Sequence, residues 1–390
     1  MNSIELFAGC GGLALGISEA GFKHQLVVEI NDHACTTLDL NKNRKVKHVA
    51  DWPILKDDVR NIDYASICTT SIDLISGGPP CQPFSIGGSH KGPKDKRNMW
   101  PEAIRCVREV RPKGFIFENV KGLLRPAFAR YLRYLTFQLS YPELTIMENE
   151  THAKHFSRLI KYQKQGGLAE YSVFINDINT ADYGAAQKRN RALIIGIRKE
   201  YADKFSFPAK THSREALVWS KYKTGEYWNK HNFPRKNRNN ISVEDKRILD
   251  KLETKGAPVG EPWITVRDVI GDLPSPLSKC EQIVNHEYHP GARIYVGHTG
   301  SILDEPAKAL KAGDHGVPGG ENILVQQNGR VRYFTIREMA RLQGLPDEYE
   351  ITGAWVNSIK QLGNAVPMQI GAFFGKAMLK VINPITSKDT

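Results

Sequence analysis

Ile4-Glu5-Leu6-Phe7-Ala8-Gly9-Cys10-Gly11-Gly12 opens the chain, and Leu13-Ala14-Leu15-Gly16-Ile17-Ser18-Glu19-Ala20 follows with helical spacing until Gly21. Strand, glycine turn and helix in that order let backbone amides approach a bound molecule closely. Glycine puts no Cβ in the way, and the first helical turn has N–H groups to spare. A tight turn without a ligand is the plainer reading. The glycine spacing is not that of a dinucleotide fingerprint and no Walker lysine follows, which argues against NAD and ATP.

Downstream, Leu26-Val27-Val28-Glu29 reads as a second strand ending in an acid, a position suited to accepting hydrogen bonds from a ribose diol. No clear apolar stretch announces a third strand before Asp57-Asp58-Val59. Ile72 to Ile75 reads as a buried strand, stopped by Gly77-Gly78-Pro79-Pro80-Cys81-Gln82-Pro83-Phe84-Ser85. Cys81 therefore falls on a tight turn past a strand end, where open α/β sheets gather ligands and reactive groups. An inert thiol on a sharp turn is the alternative. Residues 86–98 are polar, glycine-rich and basic, the composition of a loop able to close over a substrate or else of a solvated surface loop.

Pro101 to Arg111 has the pattern of a helix. Gly114-Phe115-Ile116-Phe117 is a further buried strand and delivers Glu118. That carboxyl lies beside Cys81 if the two strands are neighbours, and there it could hold a proton near neutral pH. Tyr171 to Ile175 and Ala192 to Ile197 look like a strand pair, with Gln187-Lys188-Arg189-Asn190-Arg191 between them. On extended backbone Arg189 and Arg191 face the same side, and their guanidinium forks suit a pyrimidine carbonyl or a phosphate.

The 390 residues suffice for two domains. With 54 basic and 42 acidic residues the formal net charge is +12, which favours an anionic partner, nucleic acid first and an anionic membrane second. The six cysteines form no CxxC pair, so neither a disulfide framework nor a zinc site is expected, and no metal cluster stands out. No signal peptide and no run of transmembrane length is apparent, as in a soluble intracellular protein. From about Phe205 to Gly329 the texture changes. Lys221, Lys223, Lys230, Arg235, Lys236 and Arg238 stand against the single acid Glu226, interleaved with Tyr222, Tyr227, Trp228, His231 and Phe233. This reads as a DNA-contacting surface, or else as a solvated basic segment. His298 and His315 sit in glycine-rich loops and read as loop residues that could touch DNA. Arg337 to Leu342 reads as a short helix, and Val366-Pro367 opens a final one, Met368 to Val381. If that helix packs against the first strand region, residues far away in sequence complete the N-terminal sheet.

In this order, the stretches resemble the DNA (cytosine-5)-methyltransferases of bacterial restriction–modification type. Phe7-Ala8-Gly9-Cys10-Gly11-Gly12 looks like the family's AdoMet loop, Glu29 like its ribose-binding acid, and Asp58-Val59 like its adenine-contacting pair, with Asp51 less well spaced. Pro80-Cys81-Gln82 is similar to the catalytic cysteine motif. Glu118-Asn119-Val120 is similar to the motif whose carboxyl holds the cytosine edge, and Gln187 to Arg191 matches QxRxR. Arg337-Glu338-Met339-Ala340-Arg341-Leu342-Gln343-Gly344-Leu345-Pro346 resembles the motif supporting the recognition domain. Gln361-Leu362-Gly363-Asn364-Ala365-Val366-Pro367 resembles the one that completes the cofactor pocket. Ala186 stands where the family usually has proline and Leu345 where phenylalanine is commoner; neither supplies chemistry.

The resemblance implies an α/β fold: a Rossmann-like, AdoMet-dependent methyltransferase mixed sheet flanked by helices, with a smaller inserted target-recognition domain. Residues 1–204 would form the catalytic domain, 205–329 the recognition domain, and 330–390 would complete the catalytic one. S-adenosyl-L-methionine (AdoMet) is the implied cofactor, held by Phe7, Gly9, Gly11, Gly12, Leu13, Glu29, Ile30, Asp58, Val59, Pro79, Asn364 and Val366. Cys81 would add to C6 of a cytosine flipped out of double-stranded DNA. Glu118 would bond to N3 and the exocyclic amine, and Arg191 would hold O2 with Arg189 in support. Ser85, Lys91, Lys94, Arg97, Lys230, Arg235, Lys236, His298 and His315 are the expected DNA contacts. A cytoplasmic monomer, on the nucleoid when bound to DNA, and a cognate restriction endonuclease as genetic partner complete the expectation. Three competitors fare worse. A tRNA cytosine methyltransferase shares the motifs but usually has a shorter recognition region. A non-enzymatic DNA-binding protein leaves the set Cys81, Glu118 and Arg191 without a purpose, and an NAD-dependent oxidoreductase leaves Cys81 unexplained.

Overall fold

In the computed structural model, residues 1–67, 70–80, 98–234, 241–278, 283–297, 299–313 and 320–383 are described. Strand β5 (Gly114–Val120) shows how the layers arise. Phe115 and Phe117 turn to one face and Ile116 to the other, all fully buried, as in a strand covered on both sides. It lies within a seven-stranded sheet of order β3-β2-β1-β4-β5-β8-β6. The other members are β1 (Asn2–Leu6), β2 (Lys23–Glu29), β3 (Ile54–Lys56), β4 (Leu74–Gly77), β6 (Tyr171–Asn179) and β8 (Asn190–Arg198). The five strands from β3 to β5 are parallel, and β8 runs antiparallel to both β5 and β6. This is the expected mixed α/β sheet. The third strand that the sequence hid is only three residues long and sits on the sheet edge, too short for a periodic signal.

Helices α4 (Trp100–Val110) and α5 (Ala129–Ser140) cover the face of Phe115 and Phe117. The other face is covered by α1 (Gly12–Glu19) and α14 (Met368–Ile382). These two helices meet backbone to backbone. A Cβ on Gly12 would lie 2.3 Å from the Val366 carbonyl oxygen, one on Gly16 2.2 Å from that of Met368, and one on Gly371 2.6 Å from that of Leu13. The final helix thus closes the first strand–turn–helix unit, as the sequence suggested. The remaining helices of the sheet region are α2 (Asp32–Asn43), α3 (Tyr64–Ile67), α6 (His152–Lys164) and α7 (Lys199–Ala202). Trp355–Ile382 is long and apolar enough to cross a membrane, which amends the expectation that no run approaches that length. Half of its apolar 18-residue window is buried in this fold, and the span is broken at Ala365–Pro367 between α13 (Trp355–Asn364) and α14.

Residues 205–313 are built differently, from short helices α8 (Arg214–Trp219), α9 (Glu226–Lys230), α10 (Val243–Lys255) and α11 (Val266–Ile270) and from two-residue strands. Strand β9 (His212–Ser213) pairs with β10 (Glu261–Pro262), and β12 (Ala307–Lys308) pairs with β7 (Gln187–Lys188). Strand β11 (Ser301–Ile302) joins β13 (Ile323–Val325) and β14 (Val331–Tyr333), and α12 (Ile336–Leu342) follows. The reading of Lys221 to Arg238 as a DNA-facing surface is corrected for its first half. Lys221 is buried, with Nζ donating to the Asp304 carbonyl and, at 2.9 Å, to the Glu305 carboxylate. Tyr227 and Trp228 are core residues, and Lys223 pairs with Glu253 at 2.8 Å. Both rings turn inward and pack with Leu217, Phe233 and Trp263. Lys230 pairs with Asp268 at 2.6 Å but keeps 63% of its side-chain surface exposed. Arg235, Lys236, His298 and His315 lie outside the described residues.

Candidate active site

The parallel strands end on one edge, and their registers bring the candidate side chains together there. Gly77 pairs with Phe117, so Gly78 comes level with Glu118; a Cβ on Gly78 would lie 3.4 Å from Glu118 Oε2. Val120 pairs with Arg191 on β8, which puts Arg191 on the same face as Glu118. The two side chains form an ion pair, with Arg191 Nε against Glu118 Oε1 but not aimed along a hydrogen bond. Both are largely buried yet keep 16% and 11% of their side-chain surface exposed. Asn119 Nδ2 donates to the Pro79 carbonyl at 3.0 Å, and the Met99 amide to the Pro80 carbonyl at 3.3 Å. The turn just before Cys81 is thereby held from two sides.

Cys81 itself, with Ser85, Lys91, Lys94 and Arg97, lies outside the described residues. Burial pushes the thiol of Cys10 up to about 12 and that of Cys35 up to about 11, so neither supplies a thiolate near neutral pH. Arg189 corrects the expectation that it and Arg191 face one side. It falls in the break between β7 and β8, where strand alternation does not hold. Its guanidinium points into the protein, donating to the Leu310 carbonyl at 2.9 Å and to the Gly363 carbonyl at 2.7 Å. Burial holds its pKa well below the ordinary arginine range.

At the β1–α1 turn, Phe7, Gly9 and Gly11 have φ of 57°, 55° and 84°. Glu29 braces this turn: Oε2 accepts from the Gly9 amide at 2.6 Å, and Oε1 accepts from the Ile30 and Asn31 amides at 2.9 and 2.8 Å. A carboxylate has about four acceptor sites, so three backbone donors leave one for a hydroxyl. A Cβ on Gly9 would meet nothing within 4 Å, whereas one on Gly11 or Gly12 would strike protein. Gly9 therefore faces open space, while Gly11 and Gly12 are tied to packing and offer only backbone. Leu13 and Val59 are buried, and Ile30 is 59% exposed. Asp58 caps the turn Val59–Asn61 and pairs with Arg60, so its carboxylate is engaged. Asn364 is exposed and Val366 is buried with its carbonyl over Gly12. An acid with one free acceptor site, an open glycine face and an exposed isoleucine fit a nucleoside's ribose and ring. The sequence drew no attention to Tyr349, and it named Arg337 and Asn119 only as members of motifs without their partners, because hydrogen bonds to distant carbonyls leave no periodic or spacing signal.

A mixed sheet of this kind, with an acid and a glycine turn at its strand ends, fits the class of AdoMet-dependent methyltransferases. The comparisons with known proteins narrow this to a family. The family model for C-5 cytosine-specific DNA methylases matches residues 1–380, and the chain belongs to that family. The chain is 30% identical over 382 residues to type II methyltransferase M.PspPI of Psychrobacter, covering 97% of this chain and 79% of the relative. It is 28% identical to M.NgoMIV of Neisseria gonorrhoeae, covering 98% of each. Among solved structures, Spodoptera frugiperda DNMT2 superposes with a TM-score of 0.57 at 15% identity, covering 97% of this chain and 99% of that one. The Dnmt2 methyltransferase of S. pombe gives 0.54 at 16%, covering 98% and 99%; both likenesses support the fold. The protein is a DNA cytosine-5-methyltransferase, it uses AdoMet as methyl donor, and its substrate is DNA.

Proposed function

We propose that Cys81, Glu118 and Arg191 carry the reaction on a cytosine flipped out of a specific double-stranded sequence. C5 of cytosine is a poor nucleophile. The Cys81 thiolate forms a bond to C6, and the electrons of the 5,6 double bond move to make C5 an enamine carbon. Glu118 binds N3 and the exocyclic amine and holds the proton there as charge develops, while Arg191 binds O2. The bound cofactor supplies an electrophilic methyl on its sulfonium, which C5 takes up. Loss of the C5 proton to a base or water then returns the electrons, and the C6–S bond breaks to release Cys81. Arg189 acts as a positioning residue that ties Leu310 and Gly363 to the QxRxR segment.

The reading assigns the cofactor to Phe7, Gly9, Glu29, Ile30, Pro79 and Asn364, with backbone from Gly11, Gly12, Leu13 and Val366 and further contacts from Asp58 and Val59. Target recognition falls to residues 205–329, inserted between catalytic segments 1–204 and 330–390. Ser85, Lys91, Lys94, Arg97, Lys230, Arg235, Lys236, His298 and His315 are the DNA-contact candidates. The enzyme acts as a monomer in the bacterial cytoplasm, at the nucleoid, and protects host DNA from a cognate restriction endonuclease. One observation supports this most: the Glu118–Arg191 pair at the strand ends, level with Gly78. The test is Cys81→Ser, expected to abolish transfer of tritiated methyl to DNA while DNA binding persists; near-normal transfer would sink the assignment. DNA carrying 5-fluorocytosine should trap a complex resistant to denaturation.

A further inference from the structure

Residues 346–352 join α12 to α13 and run past the cofactor turn as a strap. Both flanks are stitched down. On one, Asn41 of α2 exchanges two hydrogen bonds with the Glu350 backbone, at 2.7 and 2.9 Å. On the other, Asn285 does the same with Ile351, at 3.0 and 2.8 Å. Arg337, fully buried, donates to the carbonyls of Tyr349, Pro346 and Val284 at 2.9, 3.1 and 3.1 Å. The strap turns two side chains, Tyr349 and Ile351, into the core, and of these Tyr349 reaches the turn. Tyr349 is fully buried against Leu38 and Trp52, and its hydroxyl donates to the Cys10 carbonyl at 2.8 Å.

That carbonyl belongs to the peptide between Cys10 and Gly11, in a turn where Gly9 and Gly11 are both left-handed. Glycine has nearly equal access to either sign of φ, so peptides beside it can flip at little steric cost. Here the peptide is held at both ends: the Gly11 amide donates to the Ala8 carbonyl at 2.9 Å, and the Cys10 carbonyl accepts from Tyr349. We propose that Tyr349 is a positioning residue for the cofactor, fixing the Cys10–Gly11 peptide so that the Gly9 face is preformed before AdoMet arrives. This rests on the reading of the β1–α1 turn as the cofactor site.

The test compares Tyr349→Phe with two controls. Glu29→Ala removes the brace of the same turn. Tyr134→Phe deletes an equivalent buried hydroxyl, bonded to His155 at 2.8 Å in the α5–α6 cluster away from the site. Calorimetric titration of the apo protein with AdoMet should give a dissociation constant raised ~10-fold in Tyr349→Phe, the scale of one lost buried hydrogen bond. At saturating AdoMet, kcat and the KM for DNA should stay within about 2-fold of the parent. Amide exchange of apo Tyr349→Phe should quicken across residues 7–15, and Tyr134→Phe should show neither change. Unchanged AdoMet affinity in Tyr349→Phe beside weakened binding in Glu29→Ala overturns the role of Tyr349 alone. Equal weakening in Tyr134→Phe also overturns it. If Glu29→Ala binds AdoMet normally too, the cofactor reading of the turn fails with it.

Discussion

Arg191 and Lys221 are both mostly buried cations, and they stand in contrasting surroundings. Arg191 meets Glu118 at the strand ends, and both side chains keep a fraction of their surface open. Lys221 is enclosed, its ammonium divided between the Asp304 backbone carbonyl and the Glu305 carboxylate. Around it the charges form a closed network: Arg267 pairs with Asp304, Tyr227 donates to Asp304 at 2.9 Å, and Asp268 accepts from Thr265 and Lys230. The sheet stands on continuous apolar strands and can leave a charged pair at its edge for chemistry. Residues 205–313 have two-residue strands and a small apolar cluster of their own, with Val266, Ile270, Ala307 and Leu310 packed into the larger core, and ion pairs and hydrogen bonds add to what holds them. Basic residues there are poor guides to where DNA lies.

The contrast can be broken by mutation, and the largest effect should come at the strand ends. Glu118→Gln or Arg191→Ala should lower kcat by at least ~10²–10³, as expected when a preorganised group facing developing charge is removed. Single-turnover methylation and a melting curve on the same sample check that the loss is chemical; a matching loss of fold would assign the pair to structure. Asp304→Ala should do the reverse. Removing the carboxylate that Arg267 and the Tyr227 hydroxyl share should cost ~3–5 kcal/mol in urea unfolding, the usual scale for a broken buried pair. A loss under about 1 kcal/mol would mean that the network does not hold this region together.

The sheet has its own enclosed titratable groups, and they predict a pH dependence. Burial pushes Glu5 up to about 8, partly offset by a hydrogen bond from Ser76, and pushes His24 down to about 4. Glu5 stays protonated in the fold while the unfolded chain's carboxyl ionises near 4.5, so it withdraws stability as pH rises from there to about 8. His24 stays neutral in the fold while the unfolded imidazole charges below 6.5, so it withdraws stability as pH falls from there towards 4. The two slopes oppose each other between about 4.5 and 6.5, and only that of Glu5 persists above. Glu5→Gln should therefore flatten the decline in Tm between about pH 6.5 and 8. An unaltered profile would show that Glu5 ionises at its ordinary pH in the fold. The smallest effect concerns Lys230. Lys230→Ala should weaken DNA binding a few-fold and reduce the salt slope by about 1, whereas Lys221→Met should leave the slope alone.

Most of the sheet was legible because its strands are buried runs closed by glycine or a polar residue, and because position at a strand end carries the chemistry. Glu29 and Glu118 were singled out as candidates on that basis, and Arg191 from its place on extended backbone. Strand β3 was missed since three residues carry no period. Arg189 was misjudged because the chain leaves strand geometry at that residue. Lys221 was misjudged because composition reports charge and not its partners; Asp304 and Glu305 are more than eighty residues away in sequence. Tyr349 escaped notice for the same reason, with its partner Cys10 at the opposite end of the chain.

The glycine contact between α1 and α14 has a consequence in time. Gly12 and Gly16 have no partner surface until Val366, Met368 and Gly371 exist. At about 5–20 residues per second, a ribosome needs roughly 20–70 s to pass from Gly16 to Phe374. Throughout that interval the first-made helix exposes a bare backbone stripe shaped for a segment not yet translated. A nascent chain shorter than that lacks the α14 half of this contact, and the packing is complete only once α14 docks on α1.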